Sequence, residues 1–484
     1  MTASNTIPVT AVFDIGKTNK KFFLFDEDFS VVRKQQTSLE QTTDEDGDPC
    51  EDLEVLSHWV KNKIAETLQD RTIQIRRLNF STYGASLVHL NKNGEAVTPL
   101  YNYLKPYPEE LFEQFCDTYG GKKKLSLQTA SPPMGMLNSG FQLYWLKHTK
   151  PLVFQEIRHS LHLPQYLSYL VTGETSTELT SIGCHTALWD YESEEYHEWT
   201  EQEEIQPLLP SVSPVSNVWK SNYQDNEFKT GIGIHDSSAA LAPYLIALDD
   251  PFMLVSTGTW SITFNPFNKE SLTYQELERD ALCYLNIYGD QVKAARFFLG
   301  NEYMHQRKKL HDYFNEGWQN DVSLNVELIR KRIEEDNSHQ KLKLEKAYSS
   351  GPYPTDEPEE WEVETFDSYQ EAYHQLMLDL VAIQAESIKL AQGSEDVKKI
   401  LITGGFSQND FYVSLLASFF PDKTVYTASL PNASALGAAL VVNDIPSREI
   451  DKLNLKSKLG MKRHQPVEGL NLQGYSWVRL GQAK

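Results

Sequence analysis

The stretch that decides the fold is VTAVFDIGKTNKKFFLFD, residues 9–26. β-Branched and aromatic residues form two runs around the polar turn GKTNK, which is the pattern of a β-hairpin. A third strand is predicted by FSVVRKQQT, which follows directly. Apolar residues at helical spacing then predict a helix over residues 52–68, and IQIRRLNFSTYG predicts one more strand. The predicted order is three strands, a helix and a strand.

A similar order begins again near Phe252. Another strand, turn and strand are predicted by MLVSTGTWSITFNP, and further short strands by ALCYLNIYG and VKAARFF. Later, KKILITGGF predicts a buried strand, VYTAS another strand, and ASALGAALVV a helix of small residues that packs closely on a sheet. The repetition predicts two related α/β halves, which we assign as domains 1–246 and 247–484.

Two regions receive no chemical role from the sequence. Residues 306–368 are charged and aromatic, and SSGPYPTDEPEE within them predicts an exposed, turn-rich loop. After Asp444 the chain becomes basic and irregular. A solvated C-terminal extension is the favoured interpretation of that region, and a nucleic-acid-binding tail is the alternative.

Composition excludes several classes of protein. Hydrophobic residues at 40% and charged residues at 23% are typical of a folded globular chain. A formal net charge of −22 argues against a nucleic-acid partner but permits a local ATP site. The four cysteines are far apart in sequence and are predicted to be reduced, structural thiols. Neither a leader nor a run of roughly 18 apolar residues is apparent, so we expect a cytoplasmic protein with no membrane partner.

Two polar turns resemble phosphate-binding loops. In DIGKTNKK, Asp14 stands at a strand end before a tight turn, so its carboxylate can lie near a metal while backbone N–H groups face phosphate. In STGTW, Gly258 permits close backbone approach, and Thr257 and Thr259 add hydroxyls. Each stretch alone also fits a plain hairpin turn. One such turn in each half would hold a triphosphate from two sides.

Two further stretches combine glycines with polar residues. In ITGGFSQND, Gly404 and Gly405 allow a ligand ring to lie against the backbone, and Asn409 can hydrogen-bond it. A simple helix entry is the alternative there. In GIGIHDSSAAL, His235 and Asp236 precede a helix, where an Asp can also serve only as an N-cap. No Walker, protein-kinase or HExxH motif occurs in the sequence.

In this order and spacing, the four motifs together with PNASALGAAL resemble the FGGY carbohydrate kinases, most of all their rhamnulokinase branch, over about residues 9–442. The resemblance implies an α/β fold of two actin-, Hsp70- and hexokinase-like domains, also called ribonuclease H-like, with a catalytic cleft between them. It assigns PNASALGAAL to the adenosine region. The first domain is expected to bind sugar and the second to bind nucleotide.

The resemblance also implies roles for individual residues. Asp236 matches the catalytic base, and with Asp14 it is implied to hold Mg²⁺. Gly84, His235 and Asp236 are implied to bind the substrate. The residues implied to bind ATP are Thr18, Asn19, Lys21, Thr257, Gly258, Thr259, Gly404, Gly405 and Asn409.

This sequence departs from the family mainly in the expected sugar pocket. Tyr83 and Ser86 stand where rhamnulokinases show Trp and Asp, and YNYLKPYP lacks their Asp-Arg pair. Lys17 replaces a small residue of the first loop, and Gln142 stands where many members carry Lys. The second family signature is poorly matched at residues 298–303. These differences leave the identity of the sugar open.

The resulting hypothesis is ATP-dependent phosphorylation of a small ketose such as L-rhamnulose, L-fuculose or xylulose in carbohydrate catabolism. An aspartate can accept the hydroxyl proton because that proton moves late in phosphoryl transfer. Domain closure about a hinge at residues 240–250 and a monomer or homodimer are expected. The alternatives are an actin- or Hsp70-like ATPase and a sugar- or nucleotide-binding regulator that has lost catalysis.

Overall fold

The computed structural model describes residues 6–317, 322–335, 362–394, 396–443 and 449–475. The strands in these ranges are β1 Ile7–Ile15, β2 Lys20–Phe25, β3 Val31–Thr37, β4 Gln41–Thr43, β5 Pro49–Glu51, β6 Ile73–Thr82, β7 Leu87–Leu90, β8 His159–His162, β9 Trp189–Asp190, β10 Glu195–Tyr196, β11 Val218–Tyr223, β12 Asn226–Gly231, β13 Ile234–His235, β14 Phe252–Thr257, β15 Ser261–Asn265, β16 Ala281–Leu285, β17 Gln291–Phe297, β18 Lys399–Gly404, β19 Thr424–Thr427 and β20 Lys462–His464. The helices are α1 Leu53–Gln69, α2 Glu109–Thr118, α3 Gly121–Gln128, α4 Ser139–Thr149, α5 Pro151–Glu156, α6 Leu163–Thr172, α7 Leu179–Ile182, α8 Trp199–Gln202, α9 Asp236–Ala247, α10 Tyr274–Glu278, α11 Leu299–Phe314, α12 Val326–Glu335, α13 Tyr369–Gln392, α14 Asp410–Phe419, α15 Ala433–Val442 and α16 Glu449–Lys458.

One sheet is built on the predicted hairpin. Strands β1 and β2 pair antiparallel with Phe13 opposite Phe22, and β6 pairs parallel on the other side of β1. The strand order is β11-β12-β6-β1-β2-β3, and β13 also pairs with β6. Helix α1 buries Leu56, Val60 and Ile64 in the same core as β1 and β6. The order predicted for the start of the chain is confirmed.

The other large sheet repeats this arrangement, in the order β16-β17-β15-β14-β18-β19-β20. Strand β14 is antiparallel to β15 and parallel to β18, as β1 is to β2 and β6. The long helix α13 buries nearly all of its residues in a core shared with α14. The predicted repetition of two α/β halves is therefore confirmed.

The two compact units of the chain are not continuous in sequence. The first contains residues 1–249, 283–290 and 431–456, and the second contains residues 250–282, 291–430 and 457–484. The boundary predicted after residue 246 divides the chain into two uninterrupted segments. It stays a prediction. Helix α15, which is late in the chain, belongs to the first unit.

The region after Asp444 is more regular than the sequence indicated. Residues Glu449–Lys458 form α16, and β20 pairs antiparallel with β19. The prediction of an irregular tail is wrong here. The short segment β20 has no strand-like alternation of its own, but it becomes a strand because it pairs with the otherwise unpaired backbone groups of edge strand β19. The stretch SSGPYPTDEPEE, residues 349–360, lies outside the described residues.

All four cysteines are free and buried, which confirms the prediction of reduced, structural thiols.

Candidate active site

Three strand ends meet at one edge of the first sheet. Strands β1 and β13 both pair parallel with β6, so Ile15, Thr82 and His235 lie side by side. One residue before this row is Asp14 on β1, and one residue after it is Asp236. Carboxyl ends of parallel strands are a common position for ligand sites in α/β proteins. The motifs DIGKTNKK and GIHDSS are therefore brought to the same edge.

The carboxylate of Asp14 is held by two neighbours. Lys21 lies opposite on β2, and its Nζ lies 3.3 Å from Asp14 Oδ2. The hydroxyl of Ser434, at the start of α15, donates to Asp14 Oδ1 at 2.9 Å. The family resemblance assigns the segment PNASALGAAL, which contains Ser434, to the adenosine region instead. No local sequence pattern links a serine to an aspartate 420 residues away. The orientation of Asp14 therefore depends on a contact that sequence reasoning missed.

The β1–β2 turn is closed by its own backbone and by Lys20. The N–H of Gly16 donates to the carbonyl of Asn19 at 2.9 Å. The Lys20 ammonium donates to the carbonyls of Gly16 and Lys17 at 3.2 and 3.0 Å. Thr18 is exposed at the tip of the turn. These hydrogen bonds close the hairpin end, and its predicted phosphate-binding hydroxyl is accessible.

Asp236 is the first residue of α9, and the N-cap position is occupied by His235 without a capping side-chain hydrogen bond. The alternative that Asp236 is only an N-cap is therefore not supported. Its Oδ1 lies 3.3 Å from Ser237 Oγ and 3.3 Å from His235 Nε2, and 34% of the side chain is exposed. Burial and the negative charge of Asp14 raise the pKa of Asp236 to about 7. This carboxyl group is poised to exchange a proton near neutral pH.

His235 is buried beside Gly84 and Cys184. Its Nε2 lies 3.1 Å from Cys184 Sγ, and its ring stacks on Tyr284 at 6.0 Å between centroids. A Cβ atom on Gly84 would lie 3.2 Å from both His235 Nε2 and Cys184 Sγ. Burial lowers the pKa of His235 to about 3, so the ring is neutral. Cys184 and Tyr284 were not predicted here, since an isolated buried thiol or tyrosine has no distinguishing sequence signal.

The acidic residues fit the expected magnesium ion. The charge of Asp14 disfavours ionisation of Asp236, and a divalent cation beside the two carboxylates would relieve that repulsion. Among the described residues, no cluster of three or more His, Cys, Asp or Glu forms a complete metal cage. Mg²⁺ commonly binds one or two carboxylates together with water and substrate phosphates, so a cage is not required.

Six of the nine residues implied to bind ATP lie in the second unit, where Thr257 has a structural role. Its hydroxyl donates to the carbonyl of Thr403 at 2.5 Å and accepts the N–H of Phe406 at 3.0 Å. These bonds join the ends of β14 and β18. The adjacent turn closes through the N–H of Gly258, which donates to the carbonyl of Trp260 at 2.8 Å. Thr257 therefore supports the turn from behind.

A cavity of about 510 Å³ lies beside this turn. Four predicted residues line it, namely Gly258, Thr259, Gly405 and Asn409. The lining also includes Gly300, Asn301, Tyr303, Met304 and Phe406. The volume is typical of a small-molecule site. The poorly matched second signature at residues 298–303 is thus part of this cavity, a connection that the sequence did not reveal.

Two close backbone approaches shape the cavity. A Cβ atom on Gly300 would lie 2.2 Å from the carbonyl oxygen of Gly258, so the start of α11 can reach the turn only with glycine there. Gly404 has a φ of +84°, and its Cβ would lie 1.8 Å from Thr257 O. The neighbouring Gly405 has open space around its Cβ position. Gly404 is thus required by the backbone, whereas Gly405 borders the cavity.

Family models match most of the chain. The N-terminal domain model of the FGGY family of carbohydrate kinases matches residues 9–235, and the model of the carbohydrate kinase FGGY C-terminal domain matches residues 249–450. The chain belongs to the FGGY family of carbohydrate kinases. This confirms the resemblance drawn from the four ordered motifs.

Curated relatives of this FGGY chain include two rhamnulokinases. The one from Halalkalibacterium halodurans is 22% identical over 256 residues, which cover 51% of this chain and 52% of the relative. The one from Yersinia pestis strain Pestoides F is 22% identical over 227 residues, which cover 45% of each protein. The chain thus aligns with about half the length of the curated relatives it matches. These matches support the similarity to the rhamnulokinase branch.

Solved structures confirm the two-domain α/β FGGY fold. A carbohydrate kinase from Novosphingobium aromaticivorans superposes with a TM-score of 0.79 at 22% identity, over 97% of this chain and 96% of that one. A ligand-bound xylulose kinase from Lactobacillus acidophilus superposes with a TM-score of 0.76 at 16% identity, over 95% and 94% of the two chains. Within the described part of this FGGY chain, no helix is long and apolar enough to cross a membrane.

Proposed function

We propose that this chain transfers the γ-phosphoryl group of ATP to a hydroxyl of a small ketose, with Asp236 as the general base. The observation that carries the proposal is the carboxylate of Asp236, partly exposed at the sheet edge and with a pKa raised to about 7. A base with a pKa near the working pH suits proton acceptance from a sugar hydroxyl. Membership of a carbohydrate kinase family supports ATP as the phosphoryl donor.

The residues around Asp236 suit this role. His235 is neutral and buried, so its ring can position a sugar hydroxyl by hydrogen bonding without adding charge. Gly84 leaves room beside the imidazole that a side chain would occupy. Asp14 and Asp236 are proposed to hold Mg²⁺, which would supply charge neutralisation at the phosphates when bound. Lys21, paired with Asp14, adds a positive charge near the same point.

The proposed nucleotide site is the cavity of the second unit. Gly258 permits a phosphate to approach the backbone closely, and Thr259 adds a hydroxyl beside it, while the N–H of Gly258 closes the turn. Gly405 offers a flat surface, and the Asn409 side chain lies at the wall while its Oδ1 caps α14 by accepting the N–H of Tyr412 at 3.0 Å. The amide nitrogen of Asn409 is suited to hydrogen-bond a bound nucleotide.

An ADP-release screen over ketoses and polyols tests the proposal. L-Rhamnulose, L-fuculose and xylulose are the first substrates, because the curated relatives are named rhamnulokinases and a structural neighbour is named a xylulose kinase. We expect one strongly preferred ketose and little ADP release without sugar. Vigorous ATP hydrolysis that ignores every sugar would instead favour an actin- or Hsp70-like ATPase. Binding of sugar or nucleotide without any ADP release would favour a regulator.

A further inference from the structure

Lys17, which replaces a small residue of the first loop, packs against two aromatic rings. Its Nζ lies 5.3 Å from the ring centroid of Tyr83 and 5.1 Å from that of Tyr103. The two tyrosines meet edge to face with their centroids 6.1 Å apart. Such cation–π contacts hold an ammonium group in place but give its N–H donors no directional acceptor.

The surroundings of Lys17 leave those donors available. Within the described residues, Lys17 Nζ forms neither an ion pair nor a hydrogen bond, and Glu51, which attracts it electrostatically, already has partners. Glu51 forms an ion pair with Lys20 and accepts the Tyr83 hydroxyl at 2.5 Å. Burial lowers the pKa of Lys17. A partly desolvated ammonium with open donors gains most when a ligand supplies an oxygen acceptor.

The register of the sheet separates Lys17 from Asp236. Lys17 follows the end of β1, Asp236 follows the end of β13, and β6 lies between these strands. Two strand spacings amount to about 10 Å. Tyr103 lies within the electrostatic reach of both residues: its ring contacts Lys17, and burial together with the charge of Asp236 raises the pKa of Tyr103. A small sugar with one hydroxyl at Asp236 would extend toward Lys17.

We infer that Lys17 is a specificity-determining residue, whose ammonium donates hydrogen bonds to a carbonyl or hydroxyl oxygen at the end of the ketose remote from the phosphorylated hydroxyl. This inference rests on the proposed kinase function. It assigns to Lys17 and its two tyrosines the recognition that the missing Asp-Arg pair of the rhamnulokinase pattern would otherwise supply. Contact with the γ-phosphate is the competing role for a lysine in this loop, and the test separates the two.

The test is steady-state kinetics of Lys17→Met with the best ketose among L-rhamnulose, L-fuculose and xylulose. Methionine keeps most of the length and apolar packing of lysine and removes its donors. We expect KM for the sugar to rise by about 10- to 100-fold with kcat changed by less than about threefold, because a hydrogen bond from a charged group is lost in both ground and transition states. KM for ATP should stay constant, and Lys17→Arg should recover part of the sugar affinity.

The matched control is Lys122→Met, since Lys122 also lies over a ring, 4.9 Å from the centroid of Phe112, but is exposed and lies on helix α3. Melting temperatures of both variants that match the wild type exclude misfolding as the cause, and calorimetry should show weaker sugar binding by Lys17→Met but not by Lys122→Met. A wild-type enzyme active on a ketose, with Lys17→Met unchanged in sugar KM or altered mainly in ATP KM, would overturn the role of Lys17 and leave the proposed function standing. Inactivity of the wild type on every ketose would overturn the proposed function and this inference together.

Discussion

Asp236 begins helix α9 without capping it, so its carboxylate is available to accept a proton. The change Asp236→Asn keeps the shape of the side chain and removes the acceptor. We expect turnover to fall by roughly 10²–10⁴ while nucleotide affinity is nearly unchanged. Asp249→Asn, at an exposed position shortly after the same helix, is the control and should keep full turnover. Near-normal turnover of Asp236→Asn would remove this residue from the chemical step.

The raised pKa of Asp236 also predicts two pH dependences. Sugar kcat/KM should fall as the pH drops below about 7, because protonation of Asp236 removes the base. A bound cation would lower the pKa of Asp236 and move this fall to a lower pH. A folded-state pKa above the unfolded value means that stability is lost as pH rises through about 7. Asp236→Asn should therefore gain melting temperature over the wild type as pH rises from about 4 to about 7, with a constant difference above that range. A difference in melting temperature that is already constant across that range would contradict the shift.

Gly404 and Gly405 are adjacent but should respond oppositely to valine. Gly404 has a φ of +84° and no room for a Cβ, so Gly404→Val should prevent stable folding of this turn. Gly405 has open space beside the cavity, so Gly405→Val should fold and crowd a bound nucleotide. We expect its ATP KM to rise by about tenfold or more. Unaltered ATP saturation in a folded Gly405→Val enzyme would separate this stretch from the nucleotide site.

At the scale of elements, the segment that carries Tyr103 is anchored by Lys105. Its ammonium lies 2.7, 3.0 and 2.6 Å from carboxylate oxygens of Asp44, Asp46 and Asp48, on the turn between β4 and β5. The Asp44 side chain is fully buried, and that of Lys105 is 4% exposed. This ion-pair cluster fixes the segment between β7 and α2, and with it one wall of the aromatic pair around Lys17.

Lys105→Met should destabilise the protein by about 3–5 kcal/mol, because a buried carboxylate is left without its partner. Denaturant unfolding measures the loss, and adding Asp44→Asn to the variant should recover part of it. The control is Lys63→Met, which removes an exposed pair with Glu66 and should cost under about 1 kcal/mol. Equal losses in the two lysine variants would show that the cluster does not anchor the segment.

At the scale of the molecule, the first unit depends on residues from late in the chain. Helix α15 packs on α9 so closely that a Cβ on Gly437 would lie within about 3 Å of several Ala239 backbone atoms. The amide of Asn79 on β6 donates to the carbonyl of Ala438 at 2.8 Å. Residues 431–456 therefore complete the core of the unit that begins at the N-terminus.

Residues 1–249 expressed alone should lack a fixed tertiary structure, because loss of α15 exposes apolar surface of α9, β1 and β6. Joining residues 431–456 to that fragment through a flexible linker should restore dispersed amide NMR signals and cooperative unfolding. A well-folded 1–249 fragment without this addition would show that α15 is dispensable and would favour the continuous domain boundary predicted after residue 246.

Local patterns in the sequence were enough to predict the two hairpins, helix α1 and the strands that precede each motif. Alternation of apolar residues and the turn residues between them act over a few positions, so the residues that determine these elements are neighbours in the chain. The four motifs in order were likewise enough to identify the family. The polar β20 segment was missed, because its pairing is decided by the edge of the sheet it joins.

Which side chains meet was decided only by the tertiary structure. Ser434 reaches Asp14, Cys184 reaches His235, and Lys17 lies on two tyrosines, although no local pattern predicts any of these contacts. Each contact joins segments far apart in sequence, and its geometry depends on strand register and helix packing across the whole unit. The sequence was thus enough to predict the chemistry of single residues. Their environments arise only when distant segments pack together, and the raised pKa of Asp236 depends on that packing.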